Sequence, residues 1–345
     1  MRKIKITGAG ASGLTAAINL ARAGFSVDVF ERRGDVGCRF SGEHQGLENW
    51  TSPVDVLKEL EEMGVKPNFE ATPFRRVDFF DCRGGRYVFQ HERPGFYLVR
   101  RGSFEGCLDY ALKHQALDEG VKMHFKKTLP LDEADIVATG PSSGHGLGVG
   151  VTFETDGEEV AGAILDDRIA PKGYGYLLIS KGRGTLVTVM VGQLRGAKEY
   201  LDKAITRFRE LHEFSIRYPK RFSGIGSFSM NRPLKQNNRL FVGEAAGLQD
   251  LLLGFGIRYA LTSGYLAARS IIEDRSYEQL LAELGLLKQR RASAVNRFLY
   301  ERLGNRGYRL LLREWARQEN IIEYMRNLYA YPIWKRLLYP FIRKT

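Results

Sequence analysis

The sequence predicts an α/β fold with a parallel sheet, and three observations lead to this prediction. A strand, a glycine-rich turn, a helix and a second strand follow one another within residues 3–31. A second apolar strand near residue 240 is followed by another glycine-rich turn that opens a helix. The 345 residues are 43% hydrophobic and 27% charged, which is typical of a globular protein of about two domains.

The first element is the strand–turn–helix–strand unit at the N-terminus. Residues 3–7 alternate between polar and apolar, as a half-buried strand does. Residues 8–13 read GAGASG, and apolar residues then recur at helical spacing. Residues 26–30 form the second strand, which ends at Glu31. This order within about 30 residues is typical of a dinucleotide-binding site.

The residue types in this turn fit the binding of a pyrophosphate. Gly8 permits a tight turn, Gly10 lets the backbone approach the phosphates, and Gly13 lets the helix pack closely on the strand. The helix start, with Ala11 and Ser12, offers unpaired N–H groups and the positive end of the helix dipole.

The end of the second strand supplies the ribose-binding group of such a site. Glu31 is placed to accept hydrogen bonds from a ribose 2′-hydroxyl, and we assign the adjacent Arg32 to the same site. Because a carboxylate repels a 2′-phosphate, NADP is disfavoured at this position.

The second glycine-rich region helps to decide which dinucleotide, NAD or FAD, the site would hold. Residues 240–242 form a buried strand that is followed by Gly243 and Glu244. Gly254 and Gly256 then precede a helix that begins at Ile257. An acid after a strand and a glycine-rich helix start are the features with which a flavoprotein holds the ribityl chain and the second phosphate.

These motifs together resemble the geranylgeranyl reductase family of FAD-dependent oxidoreductases, which has the p-hydroxybenzoate hydroxylase-like flavoprotein fold. The GxGxSGL turn and residues 242–260 are similar to the family's two FAD motifs. Residues 171–176, PKGYGY, resemble its substrate-domain motif, and Arg101 stands where the family has an arginine that approaches FAD. Two departures are Glu244 in place of an aspartate and Thr139 where related hydroxylases have an acid.

The resemblance implies a Rossmann-like FAD-binding domain with an inserted mixed β-sheet substrate domain and a helical C-terminal region. We expect the FAD-binding domain at residues 1–40, 100–145 and 235–285. The substrate domain is expected at 41–99 and 146–234. The remaining residues, 286–345, form the basic helical C-terminal region.

The activity implied by the resemblance is reduction of carbon–carbon double bonds in an isoprenoid lipid or a prenyl diphosphate. The electron donor would be a protein such as ferredoxin, or NAD(P)H. Two alternatives remain open: a flavin-dependent monooxygenase or halogenase, and a non-catalytic flavin-binding protein at a membrane. An aromatic-lined tunnel would favour the reductase, whereas a closed pocket would favour the non-catalytic protein.

The candidate catalytic residues lie in two motifs. They are Cys38, Glu43 and His44 after the second strand, and Tyr174 and Tyr176 in the substrate-domain motif. Glu43 and His44 are the titratable proton donors that the loop offers, unless this loop is only surface. Cys38 serves either the flavin site or packing, and the two phenols either donate a proton or form a wall for an apolar chain.

One further cofactor contact is assigned to the same loop. Arg39 either contacts FAD or is a solvated surface residue.

The charge of the chain is concentrated at its C-terminal end. The net charge is 52 − 40 = +12, and residues 288–345 hold 14 basic and four acidic residues. Aromatic residues alternate with these cations, and Pro332 and Pro340 are expected to divide the segment into short pieces. This pattern fits either a packed helical cap with a solvated face or a patch at a membrane surface. Nothing else in the sequence suggests nucleic-acid binding.

The three cysteines, at 38, 82 and 107, have no CxxC spacing. We therefore expect neither a disulfide scaffold nor a metal site. The N-terminus lacks the pattern of a signal peptide. The expected location is the cytoplasm, with peripheral attachment to the inner face of the membrane if the basic segment binds lipid.

Overall fold

A computed structural model describes residues 2–141, 144–192, 195–226 and 232–342 of the chain. The strands in chain order are β1 (Lys3–Thr7), β2 (Ser26–Glu31), β3 (His44–Glu48), β4 (Ala71–Phe74), β5 (Arg76–Asp81), β6 (Arg86–Gln90), β7 (Phe96–Arg100), β8 (Lys122–Phe125), β9 (Ile136–Val137), β10 (Gly146–Glu154), β11 (Val160–Leu165), β12 (Tyr174–Ser180), β13 (Arg183–Val191), β14 (Arg217–Gly226), β15 (Lys235–Gln236) and β16 (Arg239–Phe241). The helices are α1 (Ala11–Arg22), α2 (Val56–Glu62), α3 (Leu108–Asp118), α4 (Ala197–Leu211), α5 (Ile257–Ile272), α6 (Tyr277–Glu283), α7 (Leu286–Tyr300), α8 (Gly304–Ala316), α9 (Ile321–Leu328) and α10 (Ile333–Ile342).

The first sheet is the Rossmann-like layer. Its strand order is β15-β16-β9-β1-β2-β8, and all neighbours are parallel except the β15–β16 pair. Helix α1 packs against α3 and α5. The apolar residues predicted on one face of α1, such as Leu14 and Ile18, are fully buried in the core that this packing forms. A parallel sheet needs such cover because its strands are apolar on both faces.

The second sheet has seven strands in the order β14-β10-β13-β12-β11-β5-β6. It is mixed, because β11 pairs with β5 in parallel and the other neighbours are antiparallel. A third, smaller sheet is antiparallel and has the strand order β3-β7-β4. The strands of the first sheet come from within the predicted FAD-binding segments, and those of the other two come almost entirely from the predicted substrate segments. The exact domain boundaries stay a prediction.

The C-terminal region is helical, as predicted. Helix α10 packs on α7, and α8 packs on β5 and β6 of the large sheet. The expected break at Pro340 is wrong: Pro340 lies inside α10, in its last two turns. Pro332 does precede a helix start, where its missing N–H costs nothing. The predicted fold class is thus confirmed. No described helix combines the length and the hydropathy needed to span a membrane.

Candidate functional site

The glycine turn between β1 and α1 is tightly built against β9. Gly8 has φ of +104°, and a Cβ there would lie 2.3 Å from the carbonyl oxygen of Ala138. A Cβ on Gly13 would lie 2.1 Å from the Gly8 carbonyl oxygen. In contrast, a Cβ on Gly10 would meet no atom within 4 Å. Gly8 and Gly13 are therefore required by packing, whereas Gly10 faces open space.

The start of α1 is directed to that open space. Gly10 is the N-cap residue, and no side chain caps the first N–H groups of the helix. Ala11 and Ser12 line the cavity beside them. A helix start without a cap is an anion site, because its first N–H groups lack intrahelical acceptors.

Glu31 lies at the same edge, at the carboxyl end of β2. Its Oε2 accepts a hydrogen bond of 3.1 Å from the Ala9 N–H, and its Oε1 accepts one of 2.9 Å from the Arg33 N–H. These bonds fix the carboxylate at the wall of the cavity. The exposed Arg32 lines the same cavity.

The second glycine-rich region reaches the same cavity. Glu244, Gly254, Gly256 and Ile257 line it, and Ile257 begins α5. Gly243 does not line it, and its assignment to direct cofactor contact stays a prediction.

Gly243 has a packing role. Its N–H donates to Ser263 Oγ at 2.9 Å, and a Cβ there would lie 3.0 Å from Ser12 Oγ. It therefore brings the second region close to α1.

Arg101 is the centre of a buried polar cluster that lines the cavity. Its Nε and Nη2 donate to the two carboxylate oxygens of Asp109 at 2.8 Å each. Its Nη1 donates to Gln45 Oε1 at 2.8 Å. Although burial opposes the charge, Asp109 raises the pKa of Arg101 above its ordinary value. The sequence analysis found Arg101 but missed Asp109 and Gln45.

Phe40 connects the two arginines of the site. Its ring centroid lies 4.0 Å from Cζ of Arg101 and 4.6 Å from Cζ of Arg39. Arg39 also extends to within 4.0 Å of Glu244. Arg39, half exposed, thus lies between the loop after β2 and the second glycine-rich region.

Glu43 and His44 are neighbours in sequence but face different surroundings. Glu43 lines the cavity, and its Oε2 accepts a 2.6 Å hydrogen bond from the Ser41 N–H. Burial raises the pKa of Glu43. His44 is buried away from the cavity, beside Arg100 and the strand that carries Thr185.

The surroundings of His44 argue against its assignment as a proton donor. Burial, and then the charge of Arg100, lower its pKa to about 4, so that it is neutral at pH 7. The physical reason for its position is the alternation of β3, which turns Gln45 to the cavity and therefore His44 away from it.

Cys38 is an exposed free thiol that lines the cavity. Its backbone carbonyl accepts a 3.4 Å hydrogen bond from Arg33.

Tyr174 and Tyr176 lie on the same face of β12, with ring centroids 5.9 Å apart, and both line the cavity. The Tyr174 hydroxyl donates to the carbonyl of Leu253. Burial raises the pKa of both phenols well above the ordinary value. Both hydroxyls are therefore protonated, and that of Tyr174 is directed to the backbone.

The cavity continues from this site into an apolar compartment that the sequence analysis missed. The whole cavity, with its polar end and this compartment, has a volume of about 990 Å³. The large sheet and the small sheet contribute Phe74, Phe79 and Phe89, while α8 and α9 contribute Trp315, Ile321, Ile322 and Met325. The fully enclosed Trp315 ring packs 6.1 Å from Phe79 and 5.9 Å from Phe89, measured between centroids. Apolar residues at helical spacing in α8 and α9 are the signal that could have indicated this.

The residues of the polar end fit FAD. The open space at Gly10, the uncapped start of α1 and the fixed carboxylate of Glu31 match a pyrophosphate and a ribose in their order along one cavity edge. Glu244 and the turn before α5 line the continuation of that edge. Arg101 and Tyr176 line the same cavity.

The comparisons with known proteins agree with this assignment. Residues 6–57 match the model of the NAD(P)-binding Rossmann-like domain family. No curated protein has a matching sequence.

Several solved structures share the fold over the full chain. A geranylgeranyl bacteriochlorophyll reductase-like protein of Thermoplasma acidophilum is 16% identical, with 100% of this chain and 98% of that chain covered and a TM-score of 0.72. The myxobacterial chondrochloren halogenase CndH, an FAD-dependent halogenase, is 16% identical, with 100% and 97% covered and a TM-score of 0.63. A flavoprotein/dehydrogenase of Cytophaga hutchinsonii is 15% identical, with 100% and 96% covered and a TM-score of 0.63. The chain therefore has the fold of the FAD-dependent oxidoreductases, with a site whose residues fit FAD.

Proposed function

We propose that this protein is an FAD-dependent oxidoreductase that reduces carbon–carbon double bonds of an isoprenoid chain. The observation that carries the proposal is the continuity of the cavity. One cavity is lined both by the glycine turn at Gly8 and by Tyr176 and the aromatic and aliphatic side chains of the apolar compartment. An isoprenoid is long, apolar and rich in π-electrons, and such a compartment is complementary to it.

When bound, reduced FAD supplies a hydride to one carbon of the double bond. The chain has to hold the alkene, exclude water and supply a proton to the other carbon. Phe79, Phe89 and Trp315 enclose the apolar compartment, which supports the first two tasks. The Tyr174 hydroxyl is held by the Leu253 carbonyl, so this ring is assigned to the wall.

Glu43 is the proposed source of the proton. Its carboxyl is buried and has a raised pKa, although Arg101 and Arg39 oppose the shift. Burial raises the pKa of Tyr176, and the nearby Tyr174 and Glu43 add to that effect. The proposed route of the proton is by way of Tyr176, which lines the same cavity as Glu43.

The test is an anaerobic single-turnover experiment. The purified holoprotein is reduced with dithionite, which replaces the physiological donor (ferredoxin or NAD(P)H), and geranylgeranyl diphosphate is then added. We expect the flavin spectrum to return to the oxidised form and the lipid to gain two hydrogens for each bond reduced. A flavin that stays reduced with every prenyl compound would contradict the proposal.

Variants separate the proton donor from the rest of the site. Glu43→Gln should slow reoxidation by the lipid about 10²–10⁴-fold, the range for loss of a general acid. The matched control is Glu70→Gln, whose carboxylate pairs with Arg100 at 3.6 Å and does not line the cavity. Equal rates for the two variants would remove Glu43 from the mechanism.

A flavin-dependent halogenase or monooxygenase is the second candidate, favoured by the full-length structural likeness to the halogenase CndH. Thr139 lines the cavity where related hydroxylases have an acid, which argues against direct hydroxylation with NADPH. The same experiment distinguishes the candidates. Reoxidation that requires oxygen, with an aromatic substrate that gains oxygen or halogen, would establish the second one. A protein that binds FAD and lipid without turnover would be the non-catalytic alternative.

A further inference from the structure

Helix α10 presents a wide apolar stripe to solvent. Its largest apolar side chains face solvent: Ile333 is 72% exposed, Trp334 51%, Leu337 68% and Phe341 73%. At about 100° per residue, these four positions fall within an arc of roughly 100° on one side of the helix. They form a continuous outward stripe, which we call the α10 face.

Of the two cations on this helix, Lys335 is on the inside and Arg336 is exposed. Lys335 is 2% exposed, and its ammonium donates to the carbonyls of Leu328 and Ala330 at the end of α9. Burial lowers its pKa to about 8. The inner side of the helix thus holds Lys335 with the half-buried Leu338 and Tyr339, and the most exposed apolar side chains are directed away from the protein core. In water this exposure is unfavourable, so the α10 face requires an occupant.

The charge around the face indicates what that occupant is. The sequence from Tyr324 to Thr345 holds no acidic residue and five basic ones. Arg336 is exposed on α10, and Arg291 of α7 lies 5.8 Å from the ring of Tyr339. Cations beside an exposed apolar stripe with a tryptophan suit a layer of anionic lipid headgroups above acyl chains. A second copy of this chain would bring two positive surfaces together.

We propose that the α10 face binds the surface of an anionic lipid bilayer. Ile333, Leu337 and Phe341 enter the acyl boundary, Trp334 lies at the headgroup level and Arg336 contacts lipid phosphates. The helix lies in the plane of the surface. This proposal is independent of the reaction proposed above, because it rests on the outer side of α10 and on no residue of the cavity.

The experiment is co-sedimentation of the full-length holoprotein with vesicles. We use phosphatidylcholine alone and phosphatidylcholine mixed with phosphatidylglycerol. We expect binding to be about tenfold stronger with the anionic lipid and to weaken as salt is added. The double variant Leu337→Ser/Phe341→Ser should lose about tenfold of the binding.

The matched control replaces two exposed leucines elsewhere, Leu117→Ser/Leu284→Ser, which are 42% and 51% exposed. This control should bind as the unmodified protein does. A second readout is the emission of Trp334, since Trp50 and Trp315 are buried. It should shift to the blue with anionic vesicles, and Trp334→Phe should abolish the shift.

Three results would overturn the proposal. They are binding that ignores lipid charge, equal losses in the two double variants, and a dimer that the Leu337→Ser/Phe341→Ser variant converts to a monomer without any vesicle binding. The last result would assign the α10 face to self-association.

Discussion

Replacing Asp109 with asparagine removes the counter-charge of a buried arginine while keeping the shape of the side chain. The Arg101 side chain is 10% exposed and that of Asp109 is 1% exposed. The pair shares two hydrogen bonds of 2.8 Å, and Asp109 also accepts one of 3.1 Å from the Gly102 N–H. In Asp109→Asn, the guanidinium keeps the Gln45 oxygen and the Phe40 ring but loses its only bidentate partner among the described residues.

The expected cost follows from this geometry. Breaking a buried pair by removing one partner destabilises a protein by about 3–5 kcal/mol, since the other charge stays buried. That is a large part of a typical free energy of unfolding of about 5–15 kcal/mol. Urea unfolding of the apoprotein followed by circular dichroism measures the loss, and retention of FAD on a desalting column measures its effect on the site.

Two controls make the result specific. Glu210→Gln breaks the exposed Arg207–Glu210 pair and should cost about 0–1 kcal/mol. The double replacement Arg101→Met/Asp109→Leu removes both charges, and should recover most of the stability because a packed apolar pair avoids desolvation. It should still lose FAD if Arg101 contacts the cofactor. A loss of unfolding free energy below about 1 kcal/mol in Asp109→Asn would refute the reasoning, since the buried charge of Arg101 would then not depend on Asp109.

Three further predictions test other parts of the molecule. Gly10→Ala should keep the stability of the apoprotein but lose FAD, because its Cβ would meet no protein atom and would enter the open space of the cavity. Gly13→Ala should destabilise the fold, because its Cβ would meet the backbone of Gly8. Urea unfolding and FAD titration distinguish the two effects. His44→Gln should remove a loss of unfolding free energy that occurs in acid. The pKa of His44 is about 4 in the folded protein and 6.5 in the unfolded chain, so the unfolded chain takes up the proton first as the pH falls. At about 1.4 kcal/mol per pH unit, the wild type should lose about 3 kcal/mol relative to the variant as pH falls from 6.5 to 4, and parallel melts would contradict this. Trp315→Ala should lengthen the apolar compartment and raise kcat/KM for a prenyl chain one isoprene longer about tenfold relative to that for the original chain. If the ratio of the two kcat/KM values is unchanged, the substrate binds elsewhere.

The polar end of the site could be predicted from the sequence because its determinants are local. The turn at 8–13, the helix that follows and Glu31 lie within one supersecondary unit, so their spacing alone fixes their relation. The requirement for glycine at Gly8 and Gly13 is visible in the structure as carbonyl oxygens at 2.3 and 2.1 Å from the missing Cβ atoms. Sequence spacing could indicate that relation without any knowledge of the other sheets.

The rest of the site depends on contacts between distant residues. Gln45 reaches Arg101 across 56 positions, and whether Gln45 or His44 faces the cavity depends on the pairing of β3 with β7. That register is set by neighbouring strands, and a shift by one residue would exchange the two faces. Trp315 meets Phe79 across more than half of the chain. The helical spacing of apolar residues in α8 and α9 could indicate which side of each helix is buried, but it could not show that this side shares a cavity with Phe79 and Gln45.

The C-terminal region connects the two proposals physically. The sequence left two interpretations open for this region, a packed cap and a membrane patch. Helices α8 and α9 line the cavity, and α10 carries the face that we propose to bind lipid. Helix α9 turns Ile322 and Met325 to the cavity. The ammonium of Lys335 from α10 donates to the carbonyl of Leu328, the last residue of α9, and to that of Ala330 just after it. If the α10 face binds lipid as proposed, a force on α10 acts through Lys335 on the end of a helix that lines the apolar compartment. Because Lys335 joins the two, its replacement would disturb both, and the outward residues Leu337 and Phe341 are the ones that isolate lipid binding from the cavity.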